Sequence, residues 1–498
     1  MKFLILSISL FLNFTIVSGN NTQVVFENTE LCKKAYKNII ALRLDSGLYY
    51  LQQENKIHPF NNYIVYLYNY IDFLTVFTSG DMAYYEKNVK KSFSERIDLI
   101  EDSKTENSPY FLFVQAEIYL HSAILSVQNK DYLTSVFHLR KALKKLEENQ
   151  KIFPEFKENR KSLGLLLSIL GSVPDNLKTG FSILGLNGNI NEGMEMLKKL
   201  SEDKSFIQQH ETATIYAFML FHLNNKKEEA WQILKKNSFF ESNSLMDIYA
   251  IAHIGVYGFH NDEAIAAIKK EEGNEYYIKF PLLDYILGIG KTYRLDEYAN
   301  FYFQRFINNY KGKDYLKSAY QKMAWNNLIK DDLDKYQENI SHINKVGRSL
   351  IDADKQAEKE VYFLSPPNSI LLKARLLSDG NYLDKAISLL KNHTVEDFLM
   401  PKQKVEYRYR LGRIYHKEKN YAKAIEYYIA TINFNNKVEA YYAANACYMI
   451  GNIYETLSNN DEALKYYEKC LTINGYQYNN SIKQKAKAGV NRLKKSFF

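Results

Sequence analysis

Breakers, crosslinks and catalytic signatures are all scarce in this chain. Only 8 Pro and 21 Gly occur among 498 residues, which excludes collagen-like and low-complexity architectures and leaves room for long helices. The 3 Cys, at 32, 447 and 470, are too few for a disulfide framework. Cys447 and Cys470 fall on the two helices expected of one repeat, where either a bridge or two buried thiols would fit. The 10 His are scattered, with no His-Glu-x-x-His and no Cys pair at zinc spacing. Asp331-Asp332-Leu333-Asp334 and Asp352-Ala353-Asp354 lack the further ligands and the Gly of a calcium loop, and read as solvated corners. After Gly188-x-x-x-x-Gly193 stand Met194 and Glu195, where a phosphate loop needs Lys and Ser or Thr. A Gly-x-Ser-x-Gly elbow is missing too. Nothing therefore argues for an enzyme, a metal or any cofactor. The net charge of +8 is modest for this length and does not argue for nucleic acid.

Aromatic residues, in contrast, are abundant. The 41 Tyr and 29 Phe, in a chain 46% hydrophobic and 24% charged, suit helices packed in an extended array. One pattern of small and aromatic residues is written three times near the C-terminus. Its copies run from Ile370 to Leu390, Tyr409 to Tyr428 and Met449 to Tyr467. Each sets a small residue 12 positions before an Ala: Ala374 and Ala386, Gly412 and Ala424, Gly451 and Ala463. A polar corner lies between, as in Ser378-Asp-Gly-Asn381, Glu418-Lys-Asn420 and Leu457-Ser-Asn-Asn-Asp461. The expected unit is helix, tight turn, helix, with the small residues at the crossing.

Leu411-Gly412 with Tyr415, Ala424 and Tyr428, echoed by Ile450-Gly451 with Tyr454, Ala463 and Tyr467, resembles the tetratricopeptide repeat. The resemblance implies an all-α solenoid of stacked helix-turn-helix units, because one pair cannot bury its apolar face alone. Degenerate copies of the 12-residue step recur upstream. Ala123 and Ser135 flank Asn129-Lys-Asp131, Ala252 and Ala264 flank His260-Asn-Asp262, and Ala324 to Tyr336 spans Lys330-Asp-Asp332. Looser units surround His222 to Lys226 and Arg294-Leu-Asp296. Between them, a Leu-rich stretch from Ser162 ends at Pro174 and leads to Asn187-Gly-Asn-Ile-Asn-Glu-Gly193. There Gly188 is expected to supply the turn and Asn191 the helix cap. This passage is similar to one in the tetratricopeptide repeat protein 39 family and its fungal mitochondrial outer-membrane relatives, which look like scaffolds without a catalytic motif, some linked to lipid handling. Those proteins carry no secretory signal, so only the architecture is carried over.

Residues 1–19 read as a secretory signal peptide, with an apolar run from Phe3 to Val17 and small residues at Val17-Ser-Gly19; a retained anchor is the alternative. Cys32 is too far from that cut for lipidation. The expected organisation is then an N-terminal helical region over 20–108, degenerate repeats over 109–365, clear repeats over 366–475 and a basic capping helix over 476–498. Pro366-Pro367 marks a kink. Tyr63 to Phe77, aromatic on nearly every side, is expected to be buried between helices. No stretch after the signal reads as a membrane span, since Asn69 and Asp72 interrupt that one and Leu163 to Val173 is too short. The composition, rich in Asn, Lys and Tyr, looks like that of an exported bacterial envelope or periplasmic protein. From Ser481 the tail carries Lys483, Lys485, Lys487, Arg492, Lys494 and Lys495 without an acid. That cationic face suits the outer side of a cap or peripheral contact with anionic lipid.

In tetratricopeptide repeats the first helix of each pair lines the concave face. The resemblance therefore puts Arg375, Tyr409, Arg413, His416, Tyr448 and Asn452 on the groove wall, and Arg forks and Tyr rings are common anchors of protein interfaces. Leu371, Tyr409 and Tyr448 stand where some family members grip a terminal carboxylate with Lys, so that clamp is not expected. The expected partner is a protein or peptide. Glycan capture and a lipid-surface role are the rivals.

Overall fold

The tight turns explain the architecture best. In the computed structural model, which describes residues 24–103, 108–363, 365–434, 440–474 and 479–495, helices are joined by corners of one repeated design. At each corner a single residue takes a left-handed backbone: Lys130, then Asn225, Phe259, Leu295, Asp331, Asn381, Lys419 and Ser458. The next residue's N–H reaches back to a carbonyl of the first helix, as in Asn420 to Tyr415 at 2.9 Å and Asn459 to Tyr454 at 2.8 Å. This bond satisfies a helix-end carbonyl that would otherwise be orphaned. The same residue then caps the second helix: Asp131 accepts from Thr134 N, Asp332 from Lys335 N and Asn459 from Glu462 N. The polar corners of the sequence are thus a C-cap and an N-cap placed in tandem.

None of those eight left-handed residues is Gly, although the conformation costs an L-residue about 1–2 kcal/mol. Lys419 is exposed and loses little packing on truncation. Lys419→Gly is expected to raise stability by about 1 kcal/mol after the entropy cost of Gly. Urea unfolding of the two proteins checks this.

The described residues are helical apart from turns and one isolated bridge between Val25 and Asn61, so the fold is all-α. From Asn225 the left-handed corners fall at 225, 259, 295, 331, 381, 419 and 458, steps of 34, 36, 36, 50, 38 and 39 residues. First helices of successive pairs pack side by side, and each second helix sits against its own first helix and the next one. That arrangement makes an inner layer of first helices and an outer layer of second helices. At the crossing, Gly412 and Gly451 face aromatic rings rather than the Ala 12 residues on. A Cβ on Gly412 would stand 2.7 Å from the Tyr428 ring, and one on Gly451 would stand 2.5 Å from Tyr467.

The long step accommodates an additional helix, Asp352–Glu360, packed on Leu316–Leu328. Asp354 accepts the backbone N–H groups of Tyr315 and Ser318 at 2.7 and 2.9 Å. Glu360 accepts Trp325 Nε1 at 2.7 Å and Gln321 Nε2 at 2.6 Å. Beyond Pro366-Pro367 the chain changes direction, and helix Ser369–Asp379 lies against Leu282–Tyr293, two pairs earlier. Units that are not neighbours in the array therefore touch. Tyr382 Oη donates to Asp262 at 2.7 Å, Lys279 pairs with Asp45 at 2.7 Å, and Lys311 N donates to Ser79 O at 3.1 Å.

Three local expectations need correction. Asn189, not Asn191, caps helix Ile190–Glu202, accepting from the N–H groups of Asn191 and Glu192. The positive φ of that loop belongs to Gly185, at 72°. Gly188 is instead required by proximity, since a Cβ there would stand 2.2 Å from Gly171 N. Helix Pro109–Gln128, which the sequence reading passed over, is long and apolar enough to cross a membrane. However, 67% of its most apolar stretch is buried inside the protein, with Gln115, Glu117 and His121 among its packed residues. It is a core helix here.

Tyr63–Ser79 is buried as expected, with Tyr63, Tyr66, Leu67 and Tyr70 in the core. Cys447 and Cys470 are free and buried, and burial pushes their thiols up to about 12 and about 11. In helix Asn479–Lys495, Ile482, Ala486, Val490 and Leu493 are buried, while Arg492 clasps Glu455 at 2.6 and 2.7 Å. The proposed signal segment, residues 1–19, lies outside the described residues.

Candidate functional site

Six residues were expected on the inner wall, and the fold separates them. Arg375, on Ser369–Asp379, is half-buried, with its guanidinium 4.8 Å above the Trp325 ring and its Nε 3.7 Å from Asp379. Arg413 and His416, on Pro401–Lys417, are half-buried and next to one another. Burial, with the Arg413 charge, pushes His416 down to about 4, so it is neutral at physiological pH. Tyr448 and Asn452 are half-buried on Ala440–Thr456. Asn452 accepts the Tyr467 hydroxyl at 2.6 Å, which occupies its carbonyl in holding the pair together.

Tyr409 departs from the expectation. It is 2% exposed, its ring packs 5.0 Å from that of Tyr442, and its hydroxyl accepts from Asn445 Nδ2 at 2.7 Å. At its place on the first helix it faces the seam between consecutive pairs, where an aromatic fills volume. Tyr409 belongs to the core rather than to the groove wall.

Residues 406–474 match the tetratricopeptide repeat family model, and over those residues two helical pairs stack with Gly412 and Gly451 under Tyr428 and Tyr467. This stretch is a tetratricopeptide repeat array. No curated protein sequence matches the chain. Among solved structures, human IFIT1 in a dimer with m7Gppp-AAAA is similar at 12% identity and a TM-score of 0.36, covering 90% of this chain and 91% of that one. Yeast Tom70 is similar at 11% identity and TM-score 0.26, covering 93% and 88%. The Cut9 and Hcn1 assembly of APC/C gives 12% identity and TM-score 0.29, covering 92% and 95%. At such scores these likenesses assign no residue a role.

The tetratricopeptide repeats meet the middle of the chain at a cluster of cations that sequence reading missed. Lys417 stands 4.3 Å from the centre of the Phe259 ring, and Lys227 stands 4.4 Å from the same ring. Lys322 lies 3.6 Å above Trp325, the ring that Arg375 also covers. Asp379 is the carboxylate between these groups, acting on Lys227, Lys322, Arg413 and Lys417 alike. Burial, then the Arg375 charge, pushes Lys322 down to about 7. Burial and the charges of Arg413 and Lys227 bring Lys417 to about 8 against the opposing pull of Asp379. All five cations keep some contact with solvent.

Beside this cluster the inner layer is neutral. His222 and His253 meet Nε2 to Nε2 at 3.1 Å, and burial holds His253 down at about 3. Tyr249 and Tyr257 pack around His253 as tilted rings, with centroids 5.9 and 5.1 Å away. Among the described residues no group of three His, Cys, Asp or Glu could hold a metal ion.

Proposed function

We propose that the chain is a non-enzymatic scaffold of the cell envelope that holds a protein or peptide partner along its inner layer of first helices. The observation that carries this reading is the inner layer itself, where half-buried Arg375 and Arg413 adjoin a wall of neutral Tyr and His rings. Arg and Tyr are enriched among the side chains that anchor protein interfaces, Tyr because its large ring has few rotatable bonds to freeze and Arg because its planar fork makes paired hydrogen bonds. The tetratricopeptide repeats at 406–474 support the same reading. The envelope location rests on the apolar leader at residues 1–19.

The test is crosslinking in intact cells, followed by fractionation and mass spectrometry of whatever is joined to the chain. A defined envelope protein in stoichiometric amount is expected. Recovery of polysaccharide alone would move the function to glycan capture. Liposome flotation that disappears on deletion after Ser481 would move it to a lipid surface.

A further inference from the structure

Lys227, Lys322, Arg375, Arg413 and Lys417 come from four helices spread over 190 residues, and the change of direction after Glu360 brings them together. Their charge is not balanced from within. Asp379 is shared among all five, and Glu360 and Asp354 add negative charge on the Lys322 side only. Glu360 accepts from Trp325, Gln321 and Tyr336, and Asp354 accepts two backbone N–H groups. The three ammonium groups donate to neutral oxygens instead: Lys227 to Tyr257 O at 2.7 Å, Lys322 to Gln321 Oε1 at 2.8 Å and Lys417 to Ser378 O. Five partly desolvated cations against three carboxylates leave an excess of positive charge that raises the local potential and favours an incoming anion.

We propose that this cluster docks an acidic segment of the protein partner, a stretch presenting two or more carboxylates. It rests on the scaffold reading above and names the chemistry that the scaffold selects. A bilayer cannot reach half-buried groups on the inner layer. A nucleic-acid strand needs a track of cations along its backbone and free aromatic faces for its bases. Here the cations gather round one carboxylate, the adjoining wall is neutral, and the Phe259 and Trp325 rings are already covered by lysine and arginine. A carboxylate entering between Arg375 and Lys417 would gain charge-assisted hydrogen bonds that the protein itself does not supply.

The test is fluorescence anisotropy at low salt with the full chain and three labelled probes: an octapeptide of alternating Glu and Ser, its Gln counterpart, and an eight-nucleotide single-stranded RNA. The Glu peptide is expected to bind and the Gln peptide not. Lys417→Gln and Arg375→Gln should each weaken binding about tenfold, with exposed Lys465→Gln as an unchanged control. Between pH 6.5 and 9 the unaltered chain should also lose about tenfold in affinity as Lys322 and Lys417 give up their protons. The groups that set that window are Arg375, Glu360, Asp379 and Asp354 around Lys322, and Asp379, Arg413 and Lys227 around Lys417. The peptide carboxylates and His416 do not change charge over it. Thermal melts show whether each variant is folded, and if one is not, the pH series decides. No binding by the Glu peptide, binding indifferent to both substitutions and pH, or tighter binding of the RNA overturns the proposal. A crosslinked partner retained in full by both variants would sink the acidic-segment docking and leave the scaffold standing.

Discussion

Lys161→Met is expected to destabilise the protein by about 3–5 kcal/mol, the cost of leaving a buried charge without its partner. Lys161, on Lys157–Gly171, is buried and donates to Glu211 at 2.8 Å. Glu211 also accepts the hydroxyls of Tyr36, at 2.6 Å, and Tyr70. One carboxylate thus ties together four helices, Glu30–Ile40, Tyr63–Ser79, Lys157–Gly171 and Gln209–His222. Burial alone would raise Glu211, but the charge and hydrogen bond of Lys161, with the two Tyr hydroxyls, hold it below its ordinary value. Lys161 is raised in turn: burial opposes its charge, and Glu211 and Glu117 outweigh burial.

The sign of the pH dependence follows. Glu211 is depressed, so its stabilisation is present above the unfolded carboxylate range and is lost as pH falls through the folded value. Lys161 is raised, so its share is present below the ordinary lysine value and is lost as pH climbs through the folded one. Glu117 behaves oppositely to Glu211, because burial raises it beyond the pull of Lys161. It weakens the fold as pH rises from its unfolded to its folded value. Glu117→Gln, which mimics the neutral acid, should therefore stay within about 1 kcal/mol of the natural chain, while Lys161→Met should be least harmful in acid. Urea unfolding at pH 5 and pH 8 separates the two outcomes.

The second large effect is expected at Gly193. Helices Lys157–Gly171 and Ile190–Glu202 approach so closely that a Cβ on Gly193 would stand 2.4 Å from Gly164 O and 2.7 Å from Ser168 N. These are backbone atoms, which cannot swing aside as a side chain does. Gly193→Leu should cost about 3 kcal/mol, at the upper end for overpacking, and Gly193→Ala should already be unfavourable. Gly180 provides the contrast: it lies in helix Asp175–Ile183 with nothing within 4 Å of an added Cβ. There Gly→Ala is expected to stabilise by about 0.5–1 kcal/mol. Thermal melts of these variants measure both signs.

The fold was legible where local chemistry dictates it. Asp131, Asp332, Asn420 and Asn459 mark corners because a short acceptor side chain caps the next helix, and the small residues at 412 and 451 mark crossings because only they admit a neighbouring ring. Of the residues expected on the wall, Arg375, Arg413 and His416 are half-buried on the first helices of their pairs. The burial of Tyr409 was not legible, since an aromatic three residues before a Gly reads the same whether it faces solvent or the next pair. Lys227, Lys322 and Lys417 carried only a faint signal, a cation within a few residues of the small residue of its repeat. Their convergence depends on how the array winds after Asp352–Glu360, a property of packing at long range rather than of any local pattern. Asn189 and Asn191 are equally good caps by composition, and the helix begins at Ile190, after the first of them.

Contacts between units distant along the chain give this array a mechanical character. An open solenoid comes apart one repeat at a time, because each unit answers only to its neighbours. Here Tyr382 is fastened to Asp262, Lys279 to Asp45 and the backbone of Lys311 to that of Ser79. Those fastenings resist stretching as stitches hold a spring closed. A pull on the two ends would meet a single yield point instead of a ladder of small ones, and the inner layer would open only after the stitches part.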